Sequence, residues 1–342
     1  MHRVPFQQLE DTIARAFVHA GMASDKAQTL ARFHAQSSCD GVYSHGLNRV
    51  PSFVKHLAEG WVDADAEPVH VRQTGPVEVL DGQRGPGILN ALHATDRALE
   101  LAAAHGVGIA ALRNTTHWMR SGAFGWHAAD RGKVLIAWTN TESCMPAWGA
   151  TDTRVGNNPL VMAVPRKGGH VVLDMAMSQY SYGKLQTTRL KGEELPYPGG
   201  FDAEGNLTTD PGAIEASRRI LPTGFWKGSG LTILLDVLAA VLSEGNATHQ
   251  IDQIGVGSCT GCSQIFIALD PDRLGSAAHM QEIVDGMAEY VNGSDPIAPN
   301  GKVTYPGQNT LRTRQDHMAQ GVIVDEGIWK VVQALADGKN QA

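Results

Sequence analysis

Gly106–Ala111 reads GVGIAA and carries the spacing of a phosphate-cradling glycine loop, G-x-G-x-x-A. Its surroundings decide the fold. In doubly wound dinucleotide folds that loop leaves a strand and opens a helix, so that free backbone amides meet a pyrophosphate. Here the order is reversed. The preceding GILNALHATDRALELAAAH (Gly87–His105) has helical periodicity, and VGIAALRN (Val107–Asn114) has the texture of a strand. Gly106 therefore reads as a helix end and Gly108 as part of a strand. If this chain binds a dinucleotide, it does so without the Rossmann fingerprint.

Working outward, PVEVLDG (Pro76–Gly82) reads as a strand, GAFGWHAADRG (Gly122–Gly132) as a helix and KVLIAWTN (Lys133–Asn140) as a strand. LVMAVPR (Leu160–Arg166) and HVVLDMAMS (His170–Ser178) look like two more strands, followed by a Gly/Pro-rich loop over 183–212. WKGSGLTILLDVLAAVLSEG (Trp226–Gly245) reads as a buried helix opening on glycines, SQIFIALD (Ser263–Asp270) as a strand and SAAHMQEIVDGMAEYV (Ser276–Val291) as a helix. This alternation predicts an α/β layer. Before it, residues 6–20 and 24–38 read as amphipathic helices, the second with Ser24 as N-cap. A third helical pattern covers 45–59, with Pro51 marking a late start or a kink. DEGIWKVVQALADG (Asp325–Gly338) closes the chain as a helix. Helices at both ends suggest that the termini pack together. The expected division is a helical domain of 1–75 with 310–342 and an α/β domain of 76–309.

The 342 residues are 42% apolar and 18% charged, enough for a sizeable core. A net charge of −7 argues against a nucleic-acid partner. The start, MHRVPFQQLEDTIARAF, lacks the apolar core of a signal peptide. LTILLDVLAAVL (Leu231–Leu242) is short of the roughly twenty residues that span a bilayer. The expectation is a cytoplasmic protein with no membrane partner. Four cysteines form no disulfide framework, and the lone CxxC at Cys259–Cys262 leads into a strand, which suits two small residues in a turn. No second ligand pair completes a zinc set, and no GxxxxGK[ST], HExxH or GxSxG motif occurs, so no metal is expected.

Chemistry concentrates in VYSHGLNRVPSF (Val42–Phe53). On a helix His45 and Arg49 would share a face. A histidine suits proton transfer near neutral pH, and an arginine fork suits a carboxylate. Together with Ser44 they could hold a 2-oxo acid and protonate its carbonyl oxygen; a solvated polar face is the other reading of the same spacing. RNTTHWMRSGAFGWHA (Arg113–Ala128) places His117 and Arg120 at the end of a strand, where α/β proteins bind ligands; a structured loop with Trp118 and Trp126 in the core is the other reading. Asn157 and Asn158 read as turn residues before a strand. Trp226 and Lys227, before a glycine-opened helix, suit a nucleotide or an ordinary packed lysine.

Taken together, DGVYSHGLNR, ALRNTTHWMRSGAFGW, VGNNPLVMAVP, LDMAMS, RRILPTGFWKGSGL and YPGQ resemble the type-2 malate/L-lactate dehydrogenase family over nearly the whole chain. The resemblance implies an α/β, non-Rossmann, malate/L-lactate dehydrogenase-like (L-sulfolactate dehydrogenase-like) fold. It implies a homodimer that reduces a small-molecule 2-oxo acid to a 2-hydroxy acid with NADH or NADPH. The family's proton donor falls on His45, and Ser44, Arg49 and His117 fall on substrate-lining positions. Its dinucleotide contacts fall on His170, Val171, Val172, Leu173, Asp174, Met175 and Ala176, on Trp226 and Lys227, and on Gly307, Gln308 and Asn309; Thr139 and Asn140 fall on the cleft floor. If Asp174 faces a ribose, its carboxylate repels a 2′-phosphate and favours NADH. Glu142 and Cys144 are expected in a substrate-proximal loop. Other activities of the family stay open: malate, lactate, sulfolactate or ureidoglycolate dehydrogenase, or a cyclic ketimine reductase. A metal-dependent hydrolase or lyase using some of the 14 histidines is the rival from another class.

Overall fold

The computed structural model of the chain describes residues 2–339. Strand β1 (His2–Val4) leads into helices α1 (Phe6–His19) and α2 (Ser24–Cys39), two 3-10 turns (Tyr43–His45 and Leu47–Arg49) and α3 (Val50–Ala58). Then come β2 (Val69–Thr74), β3 (Val77–Asp81), α4 (Gly87–His105), β4 (Val107–Thr115), α5 (Gly122–Ala129) and β5 (Val134–Thr139). A small hairpin, β6 (Met145–Pro146) with β7 (Thr153–Val155), precedes β8 (Leu160–Val164) and β9 (Val171–Met175). Next are α6 (Tyr182–Leu190), the hairpin β10 (Gly200–Phe201) and β11 (Leu207–Thr208), α7 (Pro211–Ser217), α8 (Trp226–Ser243) and α9 (Thr248–Ile254). β12 (Cys262–Leu269), α10 (Pro271–Leu274), α11 (Ala277–Asn292), α12 (Gln308–Gln320), β13 (Val322–Val324) and α13 (Glu326–Ala336) complete the chain.

Seven strands form the central sheet in the order β2-β3-β4-β12-β5-β8-β9. Only β3 and β4 are parallel neighbours, with α4 as their crossover; the other pairs are antiparallel. β12 arrives from late in the chain and inserts between β4 and β5. Its alternate residues feed two cores: Phe266 packs with α4 and α5 (Ala94, Ala98, Phe124), and Ile265 packs on the opposite face with Leu235 and Ala239 of α8. The expected α/β layer is present, but it is a mixed sheet.

Gly106 and Gly108 take the roles read from their order. Gly106 ends α4 in the left-handed region, at φ +87°, and its amide donates to Ala102 O at 2.7 Å. A Cβ on Gly108 would stand 2.1 Å from Ala98 O, so this glycine lets α4 lie close on β4. Neither is free to cradle a phosphate.

The two chain ends meet. β1 pairs antiparallel with β13, His2 opposite Val324. Leu9, Ile13 and Phe17 of α1 share a core with Leu30 of α2, Phe53 of α3, and Trp329 and Val332 of α13.

Several local expectations change. Position 24 is the first residue of α2; Ala23 occupies the cap, and no side chain caps that end. The helix expected over 45–59 is two 3-10 turns followed by α3, with Pro51 in its first turn, where a missing N–H costs nothing. The span 183–212 holds α6, capped by Ser181 Oγ accepting from the Lys184 amide at 3.1 Å. Only Leu185 and Thr188 of α6 are buried, so its apolar periodicity is weak. α12, which buries only His317, shows no apolar stripe either. The 18-residue α8 is longer than its apolar stretch; it is long and apolar enough to cross a membrane by length and composition, and 39% of it is buried.

Candidate active site

His45 sits on the 3-10 turn between α2 and α3, and the buried polar side of α2 fixes that turn. Ser38 Oγ accepts from the Leu47 amide at 2.8 Å, and His34 Nδ1 lies 3.1 Å from Gly46 O. A Cβ on Gly46 would fall 2.1 Å from Ser38 Oγ, so the glycine admits α2 to the turn. Ser44 Oγ lies 3.0 Å from His45 Nδ1 and orients the ring.

His117 follows β4, and its ring stacks on that of His45 with centroids 5.7 Å apart and 21° between planes. The Met119 amide donates to His117 Nδ1 at 2.8 Å, which leaves the proton of a neutral ring on Nε2. Met119 adopts φ +61° to make that bond. Gly87 makes room beneath: a Cβ there would stand 2.3 Å from His117 O.

Arg49, half-buried, completes the group. Among the described residues its guanidinium has no hydrogen-bond or ion-pair partner. Burial first, and then the Arg49 charge, lower the His45 pKa to about 4, against a smaller raising effect of Asp174. Burial likewise brings His34 to about 4 and holds His117 well below the usual histidine range, with Arg49 the next cause for His117. The cluster at neutral pH is thus one unpaired cation beside neutral imidazoles, a setting that attracts an anion.

A cavity of about 240 Å³ lies next to this group, lined by Val42, Arg120, Trp126, Asp174, Gly307 and Thr310 among others. Asp174, on the edge strand β9, accepts from Ser121 Oγ at 2.5 Å. A Cβ on Gly122 would come within 2.5 Å of Asp174 Oδ2, so glycine is what lets α5 start over the carboxylate. Behind it Asp40 holds two arginines: Arg120 NH1, and Arg314 through Nε at 2.7 Å and NH2 at 2.8 Å. Burial pushes the Asp40 carboxyl up, but the Arg314 hydrogen bonds and the Arg120 charge outweigh it and leave the pKa lowered. Arg314 also stacks over Trp126, 4.2 Å from its ring centre.

The cavity suits part of a nicotinamide dinucleotide on three counts. Arg120 Nε is buried without a hydrogen-bond partner. Gly307, at φ +96°, opens α12 with no side-chain cap; the Gln308 amide donates to Tyr305 O at 3.2 Å, which leaves those of Asn309 and Thr310 for a ligand. A Cβ on Gly307 would stand 2.9 Å from His170 O, so the backbone approaches β9 there as only glycine can.

A family model described as Malate/L-lactate dehydrogenase matches residues 4–333. The chain belongs to the malate/L-lactate dehydrogenase family. It is therefore an oxidoreductase of the hydroxy-acid/oxo-acid kind, and members of this family work with a nicotinamide dinucleotide. Its relatives include the 2,3-diketo-L-gulonate reductases of Citrobacter koseri and Klebsiella pneumoniae, each 42% identical over 333 residues, covering 97% of this chain and all of theirs. The solved Δ1-piperideine-2-carboxylate reductase of Pseudomonas syringae pv. tomato superposes with a TM-score of 0.86 at 30% identity, over 98% of this chain and 100% of that one. Malate dehydrogenase from Entamoeba histolytica shares the fold at a TM-score of 0.92 and 20% identity, covering 100% and 99%.

Within this malate/L-lactate dehydrogenase chain the residues singled out from sequence are not all gathered. Ser44, His45, Arg49 and His117 converge. Val172, Leu173, Asp174 and Gly307 line the neighbouring cavity, and Val171, Met175 and Ala176 belong to or directly follow the same strand. Both ring nitrogens of His170 are engaged, by the Arg166 amide at 3.0 Å and Asp130 at 2.9 Å, which leaves only its backbone for a ligand. Gln308 folds back to accept from the Tyr305 amide at 3.3 Å, and Asn309 donates to Thr304 at 3.3 Å. Trp226, 64% exposed, and Lys227, 5.8 Å above its ring, do not line this cavity.

Asn140 is not an open cleft floor. Its amide donates to Asp236 and Asn246 O and accepts from the Ser263 amide, knotting β5 to β12; Thr139 is buried beside it, its hydroxyl donating to Asn140 O at 2.9 Å. Asn158 satisfies the Thr141 amide at 3.0 Å, as a turn residue does. Glu142 accepts from the Cys259 amide at 2.6 Å, so the two oddities of the sequence, Glu142 and CTGC, form one unit. All four cysteines are free; burial pushes Cys144 and Cys262 up to about 12 and Cys259 well above its usual value, so these thiols stay protonated. No three His, Cys, Asp or Glu side chains gather as metal ligands among the described residues. Sequence reasoning missed Asp40, Ser121 and Arg314; HWMR pointed to Arg120, but nothing linked it to residues so far along the chain.

Proposed function

We propose that this chain reduces 2,3-diketo-L-gulonate, or a closely similar 2-oxo acid, with NADH. The observation that carries the reading is Arg49, an unpaired cation half-buried beside two neutral histidines. A guanidinium fork takes a carboxylate in two parallel hydrogen bonds, and a 2-oxo acid so held presents its carbonyl to the imidazoles. The nicotinamide, when bound, supplies hydride to the carbonyl carbon. His45 gives its proton to the carbonyl oxygen, Ser44 holds the His45 ring through Nδ1, and His117 Nε2–H is free to donate to the substrate.

His45 is neutral at rest, so it needs a proton before it can donate one. A substrate carboxylate against Arg49 offsets the second cause that lowers its pKa. Binding of the anion and protonation of His45 are then coupled, and reduction is favoured on the acid side of neutrality. For cofactor choice, Asp174 supports NADH: its carboxylate accepts from ribose hydroxyls and repels a 2′-phosphate.

A second copy of the chain covers α8 in this reading. Leu231, Leu234, Leu238 and Val241 recur at helical spacing and are 42–67% exposed. A homodimer explains that face, and four free thiols suit a cytoplasmic enzyme. The test is cofactor oxidation, with NADH and NADPH, against 2,3-diketogulonate, oxaloacetate, pyruvate and piperideine-2-carboxylate. A clear preference for any but the first changes the substrate; no turnover with all four defeats the proposal.

A further inference from the structure

Arg120 has no part in that chemistry, yet it is the most deeply buried cation beside it. Its side chain is 4% exposed and reaches Asp40 through NH1. Nε lies 3.7 Å from Asp174 Oδ2, beyond hydrogen-bond distance, and has no partner. Neither group can close that gap cheaply. Arg120 is held by Asp40, which Arg314 grips from the other side; Asp174 is held through Oδ1 by Ser121. Both open onto the same cavity.

A buried donor and a partly exposed acceptor 3.7 Å apart leave room for one oxygen at normal hydrogen-bond distance from each. That oxygen must both accept and donate. A hydroxyl does; a phosphate oxygen meets repulsion from Asp174, and a cation meets it from Arg120. We propose that Arg120 Nε–H and Asp174 Oδ2 together grip one ribose hydroxyl of the dinucleotide. The first donates to its oxygen and the second accepts its proton. This rests on the reading of Asp174 as a cofactor contact and adds Arg120 as a binding residue. The ion pairs through Asp40 tie the clamp to α2 and α12, so the chain ends set its geometry.

The test measures NADH binding directly, by the change in nucleotide fluorescence, without turnover. Arg120→Lys keeps a cation for Asp40 and loses the Nε–H. Its Kd for NADH should rise roughly ten- to a hundred-fold, the range for a hydrogen bond to a charged group. NADH analogues lacking single ribose hydroxyls supply the second arm. One analogue should bind wild type more weakly by a similar factor, and Arg120→Lys should bind that analogue no worse than NADH. Unchanged NADH binding in Arg120→Lys overturns the clamp, as do losses that multiply for every analogue. If Arg120→Lys fails to fold, Arg120→Met, which leaves Asp40 paired with Arg314, is held to the same outcomes. A wild type that binds NADH while both variants match it refutes the clamp alone; a wild type that binds no NADH removes the cofactor reading as well.

Discussion

Acid should unfold this protein over a window set largely by buried histidines, and His34 allows the effect to be isolated. Its ring is 0% exposed, Nδ1 faces Gly46 O at 3.1 Å, and Nε2 has no partner. Burial lowers its pKa from 6.5 to about 4; the Gly46 carbonyl works the other way, and the charges of His45 and Arg49 add to the lowering. Between those values the unfolded chain binds a proton that the folded chain refuses. Stability therefore falls as pH drops from 6.5 towards 4, and this group contributes no slope above 6.5. At 1.36 kcal/mol per unit the loss from His34 alone is about 3 kcal/mol, a large part of a typical 5–15 kcal/mol. His45, with its pKa near 4, adds in the same direction. The assay is urea unfolding at several pH values for wild type and His34→Gln, whose amide can still donate to Gly46 O. The variant's stability should fall less steeply, the two curves converging by about 3 kcal/mol between pH 7 and 4. Parallel curves would mean that His34 does not titrate in this window, and the account of its burial would be wrong.

The site predicts a further set of outcomes. His45→Ala should lose about 10²–10⁴-fold in kcat, with NADH Kd near wild type by fluorescence titration; ordinary turnover would remove His45 as proton donor. Arg49→Lys should raise KM for the oxo acid and lower kcat, since a point charge replaces a fork; steady-state kinetics with unchanged KM would refute the carboxylate role. Gly122→Ala pushes a methyl into Asp174 and should weaken NADH binding several-fold or more, measured by the same titration. Leu238→Glu on the exposed face of α8 should convert the proposed dimer to monomer in light scattering; an unchanged mass would overturn α8 as its interface.

Much of the site was legible because its signals are local. The His45–Arg49 segment stands out by residue type, although α-helical spacing is not what brings it together. Gly46 breaks the pattern at φ −106°, ψ −127°, and Pro51 begins α3 only after two 3-10 turns. The stacking of His117 on His45 joins segments on opposite sides of β2–β4, and no periodicity reports that. Gly122 and Gly307 are visible as glycines, but their reasons, the Asp174 carboxylate and the His170 carbonyl, lie on β9 and just before it, far along the chain. α6 and α12 were hidden because polar helices with one or two buried residues carry little amphipathic signal.

By itself the sequence determined that Gly106–Ala111 is not a Rossmann phosphate loop. A glycine that ends a helix and one that starts a strand cannot form a phosphate cradle, and chain order alone decides that. It also determined the strands and helices with strong periodicity, because each depends on residues within a few turns. Only the tertiary structure decided that β12 enters between β4 and β5, since strand order is set by hydrogen bonds between remote segments. It alone placed Arg120 and Arg314 on the single carboxylate of Asp40, 80 and 274 residues away. Buried charges find partners by desolvation cost, which acts through space and leaves no spacing in the chain.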